Sequence, residues 1–234
     1  MAAEKSSAMT ARKSALALLL MVPVPSLGVL VGMYLVPGTL LGQGLFFLAK
    51  AWIFLFPVAW RVVVDKERPS LSPARHGGFG LGAALGAGIS VVIVAGYFLV
   101  GRRLIDASHL REIVGGIGLE SPVVYLAGAA YWILVNSILE EYVWRWFVVS
   151  KLRDLCRAEA AVILSALAFT LHHIVAMWAY FGVAMVVIAS LGIFIGGAAW
   201  SWCYVKYRSI WPGYLSHAIV DVAVFGLGYH ILFG

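Results

Sequence analysis

The sequence predicts an all-α fold, a polytopic transmembrane helical bundle of about seven spans (six to eight). Three observations carry that expectation. The chain is 62% hydrophobic and only 12% charged over 234 residues, against roughly 25% charged residues in ordinary soluble domains. Its mean hydropathy is +0.94, leaving too little polar surface to coat a globule in water. Its apolar residues fall in continuous runs of about 20, the length of a membrane-spanning helix, rather than in the period-two alternation of a β-barrel.

Seven spans follow in order, at about 14–36, 42–64, 77–100, 121–150, 159–180, 182–205 and 211–232. They form a single membrane domain over 1–234. The first follows Lys5, Arg12 and Lys13 but lacks a small-residue cleavage site, so it reads as an uncleaved helix bent near Pro23 and Pro25. Charges and turn formers collect in the linkers Asp65–His76, Lys151–Arg157 and Lys206–Ser209. With the N-terminus inside, one side receives Lys5, Arg12, Lys13, Arg61, Lys66, Arg68, Arg75, Lys151, Arg153, Arg157, Lys206 and Arg208. The other receives Arg102, Arg103 and Arg111. That asymmetry predicts a cytoplasmic N-terminus and a C-terminus outside. Lys50 and Arg145 lie within spans. In Gly101–Glu120 the pattern of Leu104, Ile105 and Leu110 with Arg103, Asp106, Arg111 and Glu112 suits a short amphipathic helix at the interface. Gly28 with Gly32, and Gly192 with Gly196, suit close helix packing.

Composition also excludes function classes. The net charge of +6 sits in short clusters between apolar runs, so it sets topology and does not form a nucleic-acid surface. The two cysteines, Cys156 and Cys203, make no disulfide framework on the cytosolic side.

The informative residues are the polar ones inside spans. The fourth span holds Asn136, Ser137, Glu140, Glu141 and Arg145, the fifth Thr170, His172 and His173, and the seventh His217 and Asp221. An ionisable group at a helix centre costs about 2.5–3.5 kcal/mol, so these groups must face one another or water. Asn136 with Glu140, Glu141 with Arg145 and His217 with Asp221 are each four apart, hence on one helix face. At 1.5 Å per residue, Glu140 lies about 16 Å from Lys151, His173 about 24 Å from Arg157 and His217 about 14 Å from Arg208. One buried layer can thus hold a carboxylate and two imidazoles. A carboxylate and a neutral imidazole can deprotonate a water; a second imidazole and a short polar group can donate to an oxyanion. Such a set suffices for amide or ester hydrolysis. His172 points about 100° from His173 and reads as a packing or interfacial residue, as do Phe169 and most of the nine tryptophans. Trp144 and Trp146 flank Arg145 and are placed to cover it, or to line a groove.

Glu140-Glu141-x-x-x-Arg145, Phe169-x-x-x-His173 and His217-x-x-x-Asp221 resemble, in order, the three motifs of the CPBP family of intramembrane proteases. That family includes CAAX prenyl endopeptidases and bacterial bacteriocin self-immunity proteins. The likeness covers about 121–232. It implies a glutamic-type endopeptidase, with Glu140 and His173 activating water, His217 and Asp221 forming the oxyanion site, and Glu141, Arg145 and Asn136 in support. Many members carry Asn at the position of Asp221; an ionised Asp there is no donor, so it is either protonated or orients His217. The implied substrate is a membrane-embedded or lipidated peptide, such as a C-terminal anchor, and the implied location a bacterial inner membrane. No cofactor is expected on this reading. The alternative is zinc on Glu140, His173 and His217, a His₂Glu set with an open position, although no His-Glu-x-x-His run is present. The alternative functions are a non-catalytic scaffold or immunity protein that keeps the motifs as a folding core, and a proton-coupled carrier.

Overall fold

The computed structural model describes residues 2–234, with side chains from Ser7 onward; Lys5 of the charge count lies outside the described side chains. Seven helical segments are long and apolar enough to cross a membrane: span 1 Ser7–Leu35, span 2 Leu40–Asp65, span 3 Phe79–Leu104, span 4 Pro122–Arg153, span 5 Ala158–Met177, span 6 Val183–Tyr207 and span 7 Trp211–Phe233. No strand occurs among the described residues. Span 1 breaks after Met21 and resumes at Pro23, where prolines lack the N–H that an uninterrupted helix needs. Spans 1 to 4 each contain a π-helical stretch; span 4 has two, Trp132–Asn136 and Tyr142–Val149, on either side of Ser137–Glu141. Large apolar side chains remain exposed around the bundle, among them Leu48, Val92, Leu99, Val123 and Leu191. In water that surface would be a liability; against lipid it is the expected exterior.

Two glycine contacts set how closely the helices approach. A methyl on Gly28 would sit 2.6 Å from Ala49 Cβ, and one on Gly32 would sit 3.2 Å from Phe46 Cβ, so the first expected pair does seat span 1 on span 2. The second expected pair does not mark an interface. Nothing lies within 4 Å of the Gly192 position, and the atoms nearest a methyl on Gly196 belong to Trp200 of its own helix. The tighter seam lies between spans 3 and 7. A methyl on Gly82 would strike the Pro212 carbonyl, and one on Gly86 would lie 2.8 Å from the Ser216 carbonyl oxygen. Gly82→Ala is therefore expected to cost about 1–3 kcal/mol, the range for overpacking. Gly88 on the same helix has open space around it, so Gly88→Ala is expected to be neutral or stabilising. Thermal unfolding of the two variants in one detergent checks the contrast.

Polar stitches fix the helix ends. Lys151 pairs with Asp65 at 2.6 Å and Ser14 donates to Asp154 at 2.6 Å, joining spans 1, 2 and 4 at the basic end. The Asp65–His76 linker is tied to the start of span 7. Ser209 donates to the Ser72 carbonyl, the Ile210 amide to Ser72 Oγ, and Trp211 Nε1 to the Leu71 carbonyl. The amphipathic helix expected after span 3 forms at Ala107–Gly116, burying Leu110 and Val114. Asp106 caps it, accepting from the Ser108 and His109 amides. These donors, with the Ser108 hydroxyl, hold the exposed Asp106 carboxyl below its ordinary range, so the cap is present at neutral pH and is lost as pH falls through that lowered value. Arg111 donates to the Ile231 and Leu232 carbonyls, closing the C-terminal end of span 7.

Candidate active site

Spans 4, 5, 6 and 7 build one buried polar layer. On span 4, Asn136 Nδ2 donates to Glu140 Oε1 at 2.9 Å, which fixes the direction of that carboxylate. One residue on, Glu141 turns inward with Arg145, Nε to Oε1 at 3.4 Å, and both side chains are 0% exposed. Arg145 also donates to the Gly197 carbonyl of span 6. Its guanidinium lies over the rings of Phe169 and Trp200, at 4.7 and 5.3 Å. The expected cover by Trp144 and Trp146 is thus corrected. Trp144 instead stacks on His172, and Trp146 stacks on Tyr142 beneath Arg61.

Glu141 does more than pair with Arg145. His217 Nδ1 lies 3.1 Å from Glu141 Oε1, an acceptor, so that nitrogen carries the proton. Nε2 then faces Glu140 Oε2 at 3.7 Å and Asp221 Oδ1 at 3.8 Å. The other Asp221 oxygen accepts from Ser137 Oγ at 2.6 Å. Trp200 stacks face to face on His217 at 3.9 Å and donates through its indole N–H to Ser216. Span 7 fits here because Gly213 leaves the room that Glu141 Oε2 occupies, 2.6 Å from where a Cβ would stand.

On span 5, His173 Nδ1 contacts the Phe169 carbonyl at 2.9 Å. A carbonyl only accepts, so Nδ1 carries the hydrogen and Nε2 keeps its lone pair. His172 packs on Trp144 as a packing histidine should, but it is not remote. Its ring centre lies 4.0 Å from that of His173, and Glu140, His172 and His173 offer ligand atoms within 4.8 Å of one another. Phe169 supplies both the carbonyl for His173 and the ring beneath Arg145.

A cavity of about 40 Å³ adjoins this layer, bordered by Asn136, Glu140, Val143, Trp144 and His172, and by spans 1 and 2. It has room for roughly two or three waters. All seven residues singled out from the sequence, Asn136, Glu140, Glu141, Arg145, His173, His217 and Asp221, belong to this one layer. Sequence reasoning gave Ser137 no role and missed Trp200, the Glu141–His217 contact and the nearness of His172 to Glu140. Ser137 had a signal, since it adjoins Asn136 on the polar face; Trp200 had none. Trp200→Leu removes the ring from both His217 and Arg145 and is expected to lower stability by about 3 kcal/mol. Trp200→Phe keeps a ring and loses only the indole hydrogen bond, about 1 kcal/mol. Unfolding midpoints of the two variants test that order.

Seven apolar helices around a buried carboxylate–imidazole site define a multi-pass helical membrane protein with hydrolase-type side chains. Residues 122–223 match the family model described as type II CAAX prenyl endopeptidase Rce1-like. That stretch of the chain is thus similar to Rce1-like domains, in agreement with the CPBP family that its motifs resemble. No curated protein and no solved structure matches the chain significantly.

Proposed function

We propose that this protein is an intramembrane endopeptidase of glutamic type, hydrolysing a peptide bond in a lipidated or C-terminally anchored membrane substrate. The observation that carries the reading is Glu140, which borders a cavity with room for water and is grouped with His172 and His173. Asn136 orients the carboxylate, and the Phe169 carbonyl leaves His173 Nε2 free to accept. A water there gives a proton to Glu140 as its oxygen attacks the scissile carbonyl carbon. The resulting oxyanion needs donors. His217 already donates through Nδ1 to Glu141, so donation through Nε2 requires the ring to carry both protons. Asp221, facing Nε2, suits orienting and balancing that ring better than donating to an oxyanion. When the tetrahedral intermediate collapses, the C–N bond breaks and the proton held by Glu140 passes to the leaving amine. Glu141 and Arg145 hold His217 and the helices in place. The basic residues gathered at one end of the bundle support a cytoplasmic N-terminus.

A zinc reading has one specific support, the cluster of Glu140, His172 and His173. These three side chains, rather than the set with His217, would hold the ion. It would supply Lewis-acid activation of water, and the Nδ1 contact of His173 with a backbone carbonyl is the outer bond that metal-bound histidines commonly make.

The test is incubation of the purified protein with prenylated and unprenylated CAAX-type peptides in heavy-oxygen water, with and without a chelator. The glutamic reading expects cleavage, heavy oxygen in the new carboxylate and no chelator effect. Chelator-sensitive cleavage would transfer the mechanism to zinc. Failure to cleave any of the peptides would remove this substrate class.

A further inference from the structure

Lys50 stands apart from every motif so far used. It lies ten residues from Leu40 and fifteen from Asp65, the two ends of span 2, so its backbone is about 15 Å from the nearer end. A lysine at that depth is costly in lipid and usually functional or paired. Lys50 has no ion pair among the described residues; its ammonium lies 5.6 Å from the centre of the Phe46 ring. It lines the cavity that Glu140 borders from span 4, near enough for the two charges to interact.

We propose that Lys50 is a substrate-anchoring residue whose ammonium binds the free C-terminal carboxylate of the peptide that is cleaved at Glu140. This rests on the endopeptidase reading given above. The remaining wall of the cavity on that side is apolar, with Val29, Phe46, Ile53 and Phe54, so Lys50 is the one lysine or arginine among the described residues that line it. A ligand reaching from Glu140 to Lys50 therefore presents a neutral group at the carboxylate and an anion at the ammonium. A scissile amide followed by a chain-terminal carboxylate has that distribution. A CAAX sequence ends the chain a few residues beyond the prenylated cysteine, which places a carboxylate close to the cut. A phosphate dianion fits less well, because it would set two negative charges against one lysine beside Glu140. The cavity is small as it stands, so the peptide has to part spans 1 and 2, whose contact runs through Gly28 and Ala49.

The experiment compares two prenylated peptides identical except at the end, one a free acid and one a carboxamide. Wild-type protein is expected to favour the acid by about tenfold to a hundredfold in kcat/KM, the worth of a charge-assisted hydrogen bond. In Lys50→Gln that ratio is expected to fall to about one, and Lys50→Arg is expected to keep most of it. A wild-type ratio of one overturns the proposal without any variant, as does an undiminished ratio in Lys50→Gln. Binding of fluorescent forms of both peptides to Glu140→Gln protein, with Lys50 intact or replaced by Gln, gives the same ratio without turnover. Cleavage without an acid preference rejects the lysine and leaves the endopeptidase standing. Acid-selective, Lys50-dependent binding with no cleavage by wild type does the reverse.

Discussion

Glu140→Gln protein is expected to fold, elute and melt as wild type does, and to cleave peptide about 10²–10⁴-fold more slowly. The substitution is nearly isosteric. Its amide oxygen can still accept from Asn136 Nδ2, the bond that now holds Oε1 at 2.9 Å. What disappears is the capacity to take a proton from water at the cavity edge. Glu140→Asp separates charge from reach. It keeps the carboxylate but draws it back by one methylene from His217, now 3.7 Å away, and an intermediate loss is expected. Both rates are read by mass spectrometry of one prenylated peptide under identical conditions. A wild-type rate in Glu140→Gln would end the assignment of this residue as the base.

The largest stability effect belongs to Arg145. Arg145→Met is expected to cost about 3–5 kcal/mol, because it strands the Glu141 carboxylate where neither side chain meets solvent. The lost contacts with Phe169, Trp200 and the Gly197 carbonyl add to that cost. The informative partner is the double variant Glu141→Gln with Arg145→Met. Replacing a whole buried pair by neutral groups of similar volume is often close to neutral, and Gln can still accept from His217 Nδ1. Unfolding in a denaturant series is expected to show the double variant more stable than Arg145→Met alone. A double variant that is worse by the sum of the two single effects would mean that the pair is not coupled.

The seven spans were legible in the sequence because the bilayer imposes a length and a composition, and both are local properties. Their ends moved by a few residues where the helix ran on into polar sequence. The helix of span 1 is already formed before residue 14, and span 3 continues past Val100 to Leu104. The π-helical stretches left no sign in the sequence, since a shift of hydrogen-bond partner from four residues to five needs no particular side chain. Much of the polar layer was legible for a similar reason: a carboxylate or guanidinium inside an apolar run has to be answered by another polar group. Spacing of four showed which partners share a helix, such as Asn136 with Glu140. Relations between helices were not legible, because they depend on rotation and depth. Hence His172, read as facing away, comes near Glu140, and Trp200 reaches His217 from a span whose sequence shows no polar motif. The two glycine pairs make the same point. Both have the spacing for close approach, but the nearest atoms belong to a neighbouring helix at Gly28 and Gly32 and to the same helix at Gly196.

The length of span 4 has a consequence for the surrounding lipid. Thirty-two residues from Pro122 to Arg153 would rise about 48 Å as an ideal α-helix, against about 30 Å of hydrocarbon. The wide turns on either side of Ser137–Glu141 shorten that rise but do not remove the excess. Such hydrophobic mismatch is met by tilting the helix or by distorting the local bilayer thickness. The depth of Glu140 below the headgroups, and so the distance that a water molecule must travel to reach it, is therefore shared between the protein and the thickness of the membrane that holds it.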